Sequence, residues 1–159
     1  MKHRRLRQRA RFLDKFIDSY RRLRRRKTFP HKAVEQVVPF LFRGWRHEGR
    51  GAFKTVYRVT STSRHVALKT ARARHIRRDM KLYKSLPGNL RNRYFAKIYW
   101  HTKYCLLQKY GRSVKHVPSR EMKILKRFAK DRGLCDIRKD NIRKIDGRFK
   151  IVDANPRRG

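Results

Sequence analysis

Apolar side chains recur at three- and four-residue steps through the start of the chain: Leu6, Ala10, Leu13, Phe16, Ile17, Tyr20 and Leu23, with arginine the commonest residue between them. That period predicts an amphipathic helix. Past Pro30 the pattern changes, and residues 37–45, 55–60 and 65–70, rich in β-branched and aromatic side chains, predict three successive strands. Helical spacing returns over residues 73–86 through Ile76, Met80, Tyr83 and Leu86, and Pro87-Gly88 predicts its stop. Residues 95–100 and 104–108 predict a pair of strands. Residues 119–132 predict a helix with Met122, Leu125, Phe128 and Ala129 inward, ended by Gly133. Two short strands, 142–145 and 149–152, flank an Asp146-Gly147 turn. The order of helix, three strands, helix, two strands, helix and hairpin belongs to the α+β class.

Composition adds a partner to this picture. The chain has 159 residues, 38% of them hydrophobic, enough for a modest core. It also carries 48 Lys and Arg against 11 Asp and Glu, a formal charge of +37. So much uncompensated charge repels itself in a compact state, which predicts association with a polyanion: RNA, DNA or an anionic membrane surface. Two readings of the first helix stay open. Its apolar stripe docks on the domain with the arginines as a solvated face, or the helix is a basic arm along phosphates; membrane-surface binding is a third reading. Were the arm refuted, the polyanion site would move to the body between Arg64 and Arg93.

No apolar run is long enough for a membrane span, and the N-terminus lacks the apolar core and small-residue cleavage site of an export signal, so the expected location is cytoplasmic. Cys105 and Cys135 stand thirty apart with no CxxC and no nearby histidine pair. They are expected to be small buried hydrophobes, not metal ligands or a disulfide.

The candidate chemistry begins at the turn Glu48-Gly49-Arg50-Gly51-Ala52-Phe53-Lys54. Two glycines two apart let the backbone approach an anion, and amides on such a loop can bind phosphate oxygens. A glycine-rich hairpin also occurs with no ligand at all. The next strand, Val66-Ala67-Leu68-Lys69, sharpens the reading, because a lysine in an apolar run is expensive to bury without an anionic partner.

These two segments resemble the protein kinase superfamily, in which a glycine-rich hairpin precedes a V-A-[IL]-K strand. Cys135-Asp136-Ile137-Arg138-Lys139-Asp140-Asn141 is similar to its catalytic loop, with Asp136 and Asn141 at the required separation, and Asp153-Ala154-Asn155 stands where D-F-G would stand. The resemblance implies ATP and Mg2+ as cofactors, with phosphates on Gly49, Gly51, Lys54 and Lys69, and Asp79 as the helix acid that pairs with Lys69. It implies further that Gln108 opens the hinge that receives adenine, that Asn141 and Asp153 hold magnesium, that Asp136 orients the acceptor hydroxyl, and that Arg138 contacts the γ-phosphate. Only eleven acids are available, yet Asp79, Asp136 and Asp153 all fall where that pattern reserves an acid.

Lys54 replaces the third glycine, Asp79 replaces a glutamate, Leu134 and Cys135 replace the histidine and arginine before the catalytic aspartate, and Ala154 and Asn155 follow the metal aspartate. With no activation segment after Asp153, the chain looks more like short bacterial kinase-like proteins, grouped with lipopolysaccharide kinases and a PhoP-network family, than like conventional protein kinases. The expected organisation is a basic amphipathic helix over residues 1–30, a kinase-like small lobe of antiparallel sheet plus one helix over 31–111, and an abridged catalytic-loop subdomain over 112–159. The expected function is a kinase-fold phosphotransferase or Mg-ATP-binding protein associated with RNA or the ribosome. The alternative is a catalytically inactive kinase-like RNA-binding protein.

Overall fold

The computed structural model describes residues 2–25, 27–59 and 65–156. Thr60, the expected end of the second strand, Arg26 of the basic cluster and Arg64 lie outside the described residues. The chain divides into two compact units, Met1–Arg77 with Ile98–Gln108 and Arg78–Lys97 with Lys109–Gly159.

In the first unit, α1 (Lys2–Leu23) and α2 (His31–Leu41) accompany a five-stranded antiparallel sheet of β1 (Trp45–Arg50), β2 (Lys54–Val59), β3 (Val66–Ala71), β4 (Ile98–His101) and β5 (Cys105–Lys109), in the order β1-β2-β3-β5-β4. The stripe of α1 is buried at Leu6, Ala10, Leu13 and Ile17, and forms one core with Val34, Val38 and Phe42 and with Trp45, Tyr57, Leu68, Cys105 and Leu107 of the sheet. The apolar stripe of α1 is therefore docked on the sheet. Alternation along each strand decides what the opposite face carries. Val56 stands opposite Lys69 and Lys54 opposite Ala71, so both lysines project from the face away from the α1 and α2 core.

The reading of residues 37–45 as a strand is overturned. Val37 and Val38 belong to α2, and the first strand starts only at Trp45. Val34 and Val38, one turn apart, are both fully buried, and packing of that stripe outweighs the strand preference of β-branched side chains. Pro39 is accommodated in the last turn of this helix.

The last apolar turns of α1 are pinned by a buried carboxylate. Asp14 accepts hydrogen bonds from Thr102 Oγ1 (3.1 Å), Lys103 N (2.9 Å) and Tyr104 N (3.0 Å), which fixes the helix to the β4–β5 turn. Burial raises its pKa above the ordinary 3.8, the three hydrogen bonds opposing this in part. One turn on, burial pushes Asp18 upward too, but bonds from Lys103 and Tyr104 outweigh it and leave Asp18 lowered.

Asp14→Ala strands two backbone amides, and at about 1–3 kcal/mol for each unsatisfied buried group the expected loss is about 2–6 kcal/mol in urea unfolding. Asp14→Asn keeps an acceptor and should cost less. The pH dependence has a definite sign. Because the folded state holds the Asp14 proton more tightly than the unfolded chain, its contribution is fully present below 3.8 and declines as pH rises through the folded value. The stability difference between wild type and Asp14→Asn should therefore shrink from acid toward neutral pH; a flat or growing difference would contradict the assignment.

The second unit holds most of α3 (Ala73–Ser85), then α4 (Gly88–Tyr94), β6 (Arg112–Ser113), α5 (Ser119–Asp131), β7 (Leu134–Cys135), a 3₁₀ turn (Lys139–Asn141), β8 (Ile142–Ile145), β9 (Arg148–Ile151) and β10 (Asn155–Pro156). Strands β6, β8 and β9 form one small sheet, and β7 pairs with β10. The β8–β9 turn carries Asp146 and Gly147 at φ of 50° and 75°, the paired left-handed conformation a two-residue hairpin requires. Two helices, not one, follow β3. Pro87-Gly88 does end α3, but Pro87 also opens α4, its carbonyl accepting from Arg91 N. Pro30 and Pro118 open α2 and α5 in the same way, because a proline ahead of the first turn gives up a donor that no helix would use.

Cys105 is fully buried, as expected, whereas Cys135 is half-exposed. Among the described residues no helix is long and apolar enough to cross a membrane.

Candidate functional site

The candidate residues of the first unit gather on one sheet face. Lys54 and Lys69 are 6% and 5% exposed, and each must meet electronegative groups for burial of an ammonium to be tolerated. Gln108, also buried, alternates with the core residues Cys105 and Leu107 along β5 and so stands on the lysines' face. Gly49 and Gly51 occupy the β1–β2 hairpin, where the register shifts between His47 and Gly49 and Gly51 N donates to Lys54 O at 2.9 Å. Neither glycine is demanded by space at this turn: a Cβ on Gly49 would meet nothing within 4 Å, and one on Gly51 would come no nearer than 3.9 Å to Lys54 O. The hairpin tip is also held from the side: the Phe53 ring stacks on His75 in the first turn of α3, centroids 4.8 Å apart. Sequence reasoning missed His75, since nothing in its spacing links it to a turn some twenty residues earlier.

In the second unit, the loop after β7 brings together Asp136, Arg138 and Asn141. Asp136 sits at φ 68°, a left-handed conformation that aspartate enters more readily than most side chains, at some cost. Asn141 Nδ2 donates to the Asp136 carbonyl at 2.8 Å, and Asn141 N to the Arg138 carbonyl at 2.9 Å. The next segment is tied into the same knot. Val152 N donates to Asn141 O at 2.9 Å, and Asn155 pairs with Cys135 and Pro156 with Leu134 across β10 and β7. Asp153 therefore lies in a short span anchored at both ends to the Asp136–Asn141 loop. The Asp136 carboxylate is gripped by Arg138 Nε at 2.6 Å and by Asn155 Nδ2 at 3.3 Å.

One acceptor oxygen and a fixed geometry follow from this knot. With its amide nitrogen committed to the Asp136 carbonyl, Asn141 has its side-chain oxygen left as an acceptor. The contact of Asn155 with Asp136 is one that the sequence pattern did not identify, because it depends on a two-residue strand pairing. Asp79 lies in the part of α3 that belongs to the second unit, while Lys69 lies in the first. No protein-family model matches this chain, and no curated protein matches it.

Proposed function

We propose that the protein is a kinase-fold phosphotransferase that binds Mg-ATP and docks on RNA through α1. The observation that carries this reading is the second unit's knot, in which Asp136, Asn141 and the span holding Asp153 are tied together by side-chain and backbone hydrogen bonds. Phosphoryl transfer asks a protein for positioning and charge neutralisation, and this arrangement supplies both from few groups. Asp153 and the Asn141 side-chain oxygen are hard oxygen donors of the kind magnesium takes together with phosphate oxygens. Asp136, oriented by Arg138 and Asn155, is suited to receive or align an acceptor hydroxyl. A five-stranded antiparallel sheet with a glycine hairpin at one end and Lys69 buried on one face adds support. The ion pair of Arg138 with Asp136 favours a second reading, an inactive scaffold that keeps the fold and the RNA contact.

Magnesium makes the test clean. A chain of charge +37 attracts free ATP without any site, and magnesium weakens that attraction by neutralising phosphate charge. Binding that strengthens with magnesium therefore reports a site. Thermal unfolding of wild type should shift upward with Mg-ATP more than with ATP alone. Asp153→Ala and Lys69→Ala should each lose the magnesium-dependent part, whereas Asp136→Ala should keep it and lose transfer. If wild type and Asp153→Ala shift alike, the nucleotide reading is wrong; if both bind and neither transfers, the scaffold reading replaces it.

A further inference from the structure

The second unit contains a cavity of about 620 Å3 built from three separate stretches: Asn89, Asn92, Arg93 and Tyr94 of α4, Glu121, Ile124 and Leu125 of α5, and Gly147, Arg148 and Phe149 at the β8–β9 turn. None of these residues belongs to the Asp136–Asn141–Asp153 group. Asn89, Asn92 and Arg93 of α4, and Glu121, Ile124 and Leu125 of α5, are spaced three and four apart, so each trio lies on one face of its helix. Its walls are braced. Tyr94 stacks on Phe128 of α5 at 4.1 Å between centroids, and Lys150 Nζ donates to the Asn92 carbonyl at 2.7 Å, tying α4 to β9. A volume in this range, with Ile124, Leu125 and Phe149 set among mostly polar and charged groups, suits a small polar ligand.

The polar groups narrow the ligand. Glu121 is one of only eleven acids in a chain with 48 cations, yet among the described residues it forms neither an ion pair nor a hydrogen bond. Two cations, Arg93 and Arg148, line the same cavity without pairing to it. A nucleotide satisfies all three if its base carries a pair of adjacent N–H donors for Glu121, its phosphate meets Arg93 and Arg148, and its flat body lies over Ile124 and Phe149. Among nucleobases only guanine offers two adjacent donors, N1–H and N2–H, to a carboxylate. Adenine, cytosine and uracil each set at least one acceptor against it.

We propose that this cavity binds a guanine nucleotide, the base edge on Glu121 and the phosphate on Arg93 and Arg148. The amides of Asn89 and Asn92 are then available to the guanine carbonyl or the ribose. The guanosine can come from a free nucleotide or from a single-stranded loop of RNA, whose bases are exposed for such reading. This site stands independently of the phosphotransfer proposal, so Asp153→Ala should leave it intact.

The test is calorimetric titration of the full-length protein with GMP, AMP and the pentanucleotides UUGUU and UUAUU, in salt high enough to screen surface attraction. Wild type should prefer the guanine member of at least one pair by about tenfold or more, the scale expected for paired hydrogen bonds to a charged group. Preference with GMP assigns the free nucleotide; preference confined to UUGUU assigns RNA. Glu121→Gln, which keeps size and removes one acceptor and the charge, should abolish the preference while lowering the unfolding temperature only slightly, by the loss of one acid from the first turn of α5. Arg148→Ser should weaken guanine and adenine ligands alike. Equal affinity for both members of each pair, a preference that survives in Glu121→Gln, or no saturable binding of GMP or UUGUU would each overturn the proposal.

Discussion

Deleting residues 1–27 is expected to unfold the first unit, not to leave a trimmed but native protein. The deletion takes Leu6, Ala10, Leu13 and Ile17 out of a core in which each is at most 5% exposed. Full burial of a leucine or isoleucine contributes about 1.5–3 kcal/mol, so the three larger side chains alone account for roughly 5–9 kcal/mol. Removal of the Asp14 hydrogen bonds adds to this. Domains of ordinary size have only about 5–15 kcal/mol of stability in total. Urea unfolding of the truncated chain should show no cooperative transition for the sheet, and its amides should exchange without protection. A sharp transition at the wild-type midpoint would make α1 an accessory and would remove it from the core.

That helix was legible in the sequence because its apolar residues keep a helical period over five turns and nothing competes with it. α2 was not legible. Val37, Val38, Phe40 and Phe42 read locally as strand formers, and what decides otherwise is burial of Val34 and Val38 against α1 and the sheet, which local pattern does not contain. The short α4 was hidden by Pro87-Gly88, two residues that end one helix and open the next.

The candidate site was legible to a similar depth. Alternation along β2 and β3 suffices to put Lys54 and Lys69 on one face, and the five-residue step from Asp136 to Asn141 suffices to suggest a loop closed by its own side chains. The hold of Asn155 on Asp136 was out of reach, since it arises from the pairing of Leu134–Cys135 with Asn155–Pro156. The cavity around Glu121 was out of reach for the same reason: its three walls come from sequence stretches about thirty residues apart.

Because deletion of α1 destroys the core, the contact with RNA has to be tested by changing charge and not length. The structure separates the arginines that are free to reach phosphates from one that is not. Arg4, Arg5, Arg9 and Arg11 are exposed along α1, whereas Arg21 donates to Tyr104 Oη at 3.1 Å and to the Lys27 carbonyl at 3.0 Å, so reversing Arg21 would confound binding with stability. The variant with Glu at 4, 5, 9 and 11 is therefore expected to stay folded. It is even expected to gain helix stability at its start, because α1 has no acid in its first turn and negative charge there favours the helix dipole. Each phosphate left without its arginine should lower the log-log slope of affinity against salt by roughly 0.7–0.9, so reversing all four arginines should change it by about three units. At low salt the affinity should drop by orders of magnitude, and by the same factor for unrelated RNA sequences, since phosphates carry no sequence information. An unchanged slope in this folded variant would remove α1 from the RNA contact, because four reversed charges on a phosphate-bound face cannot leave counterion release untouched.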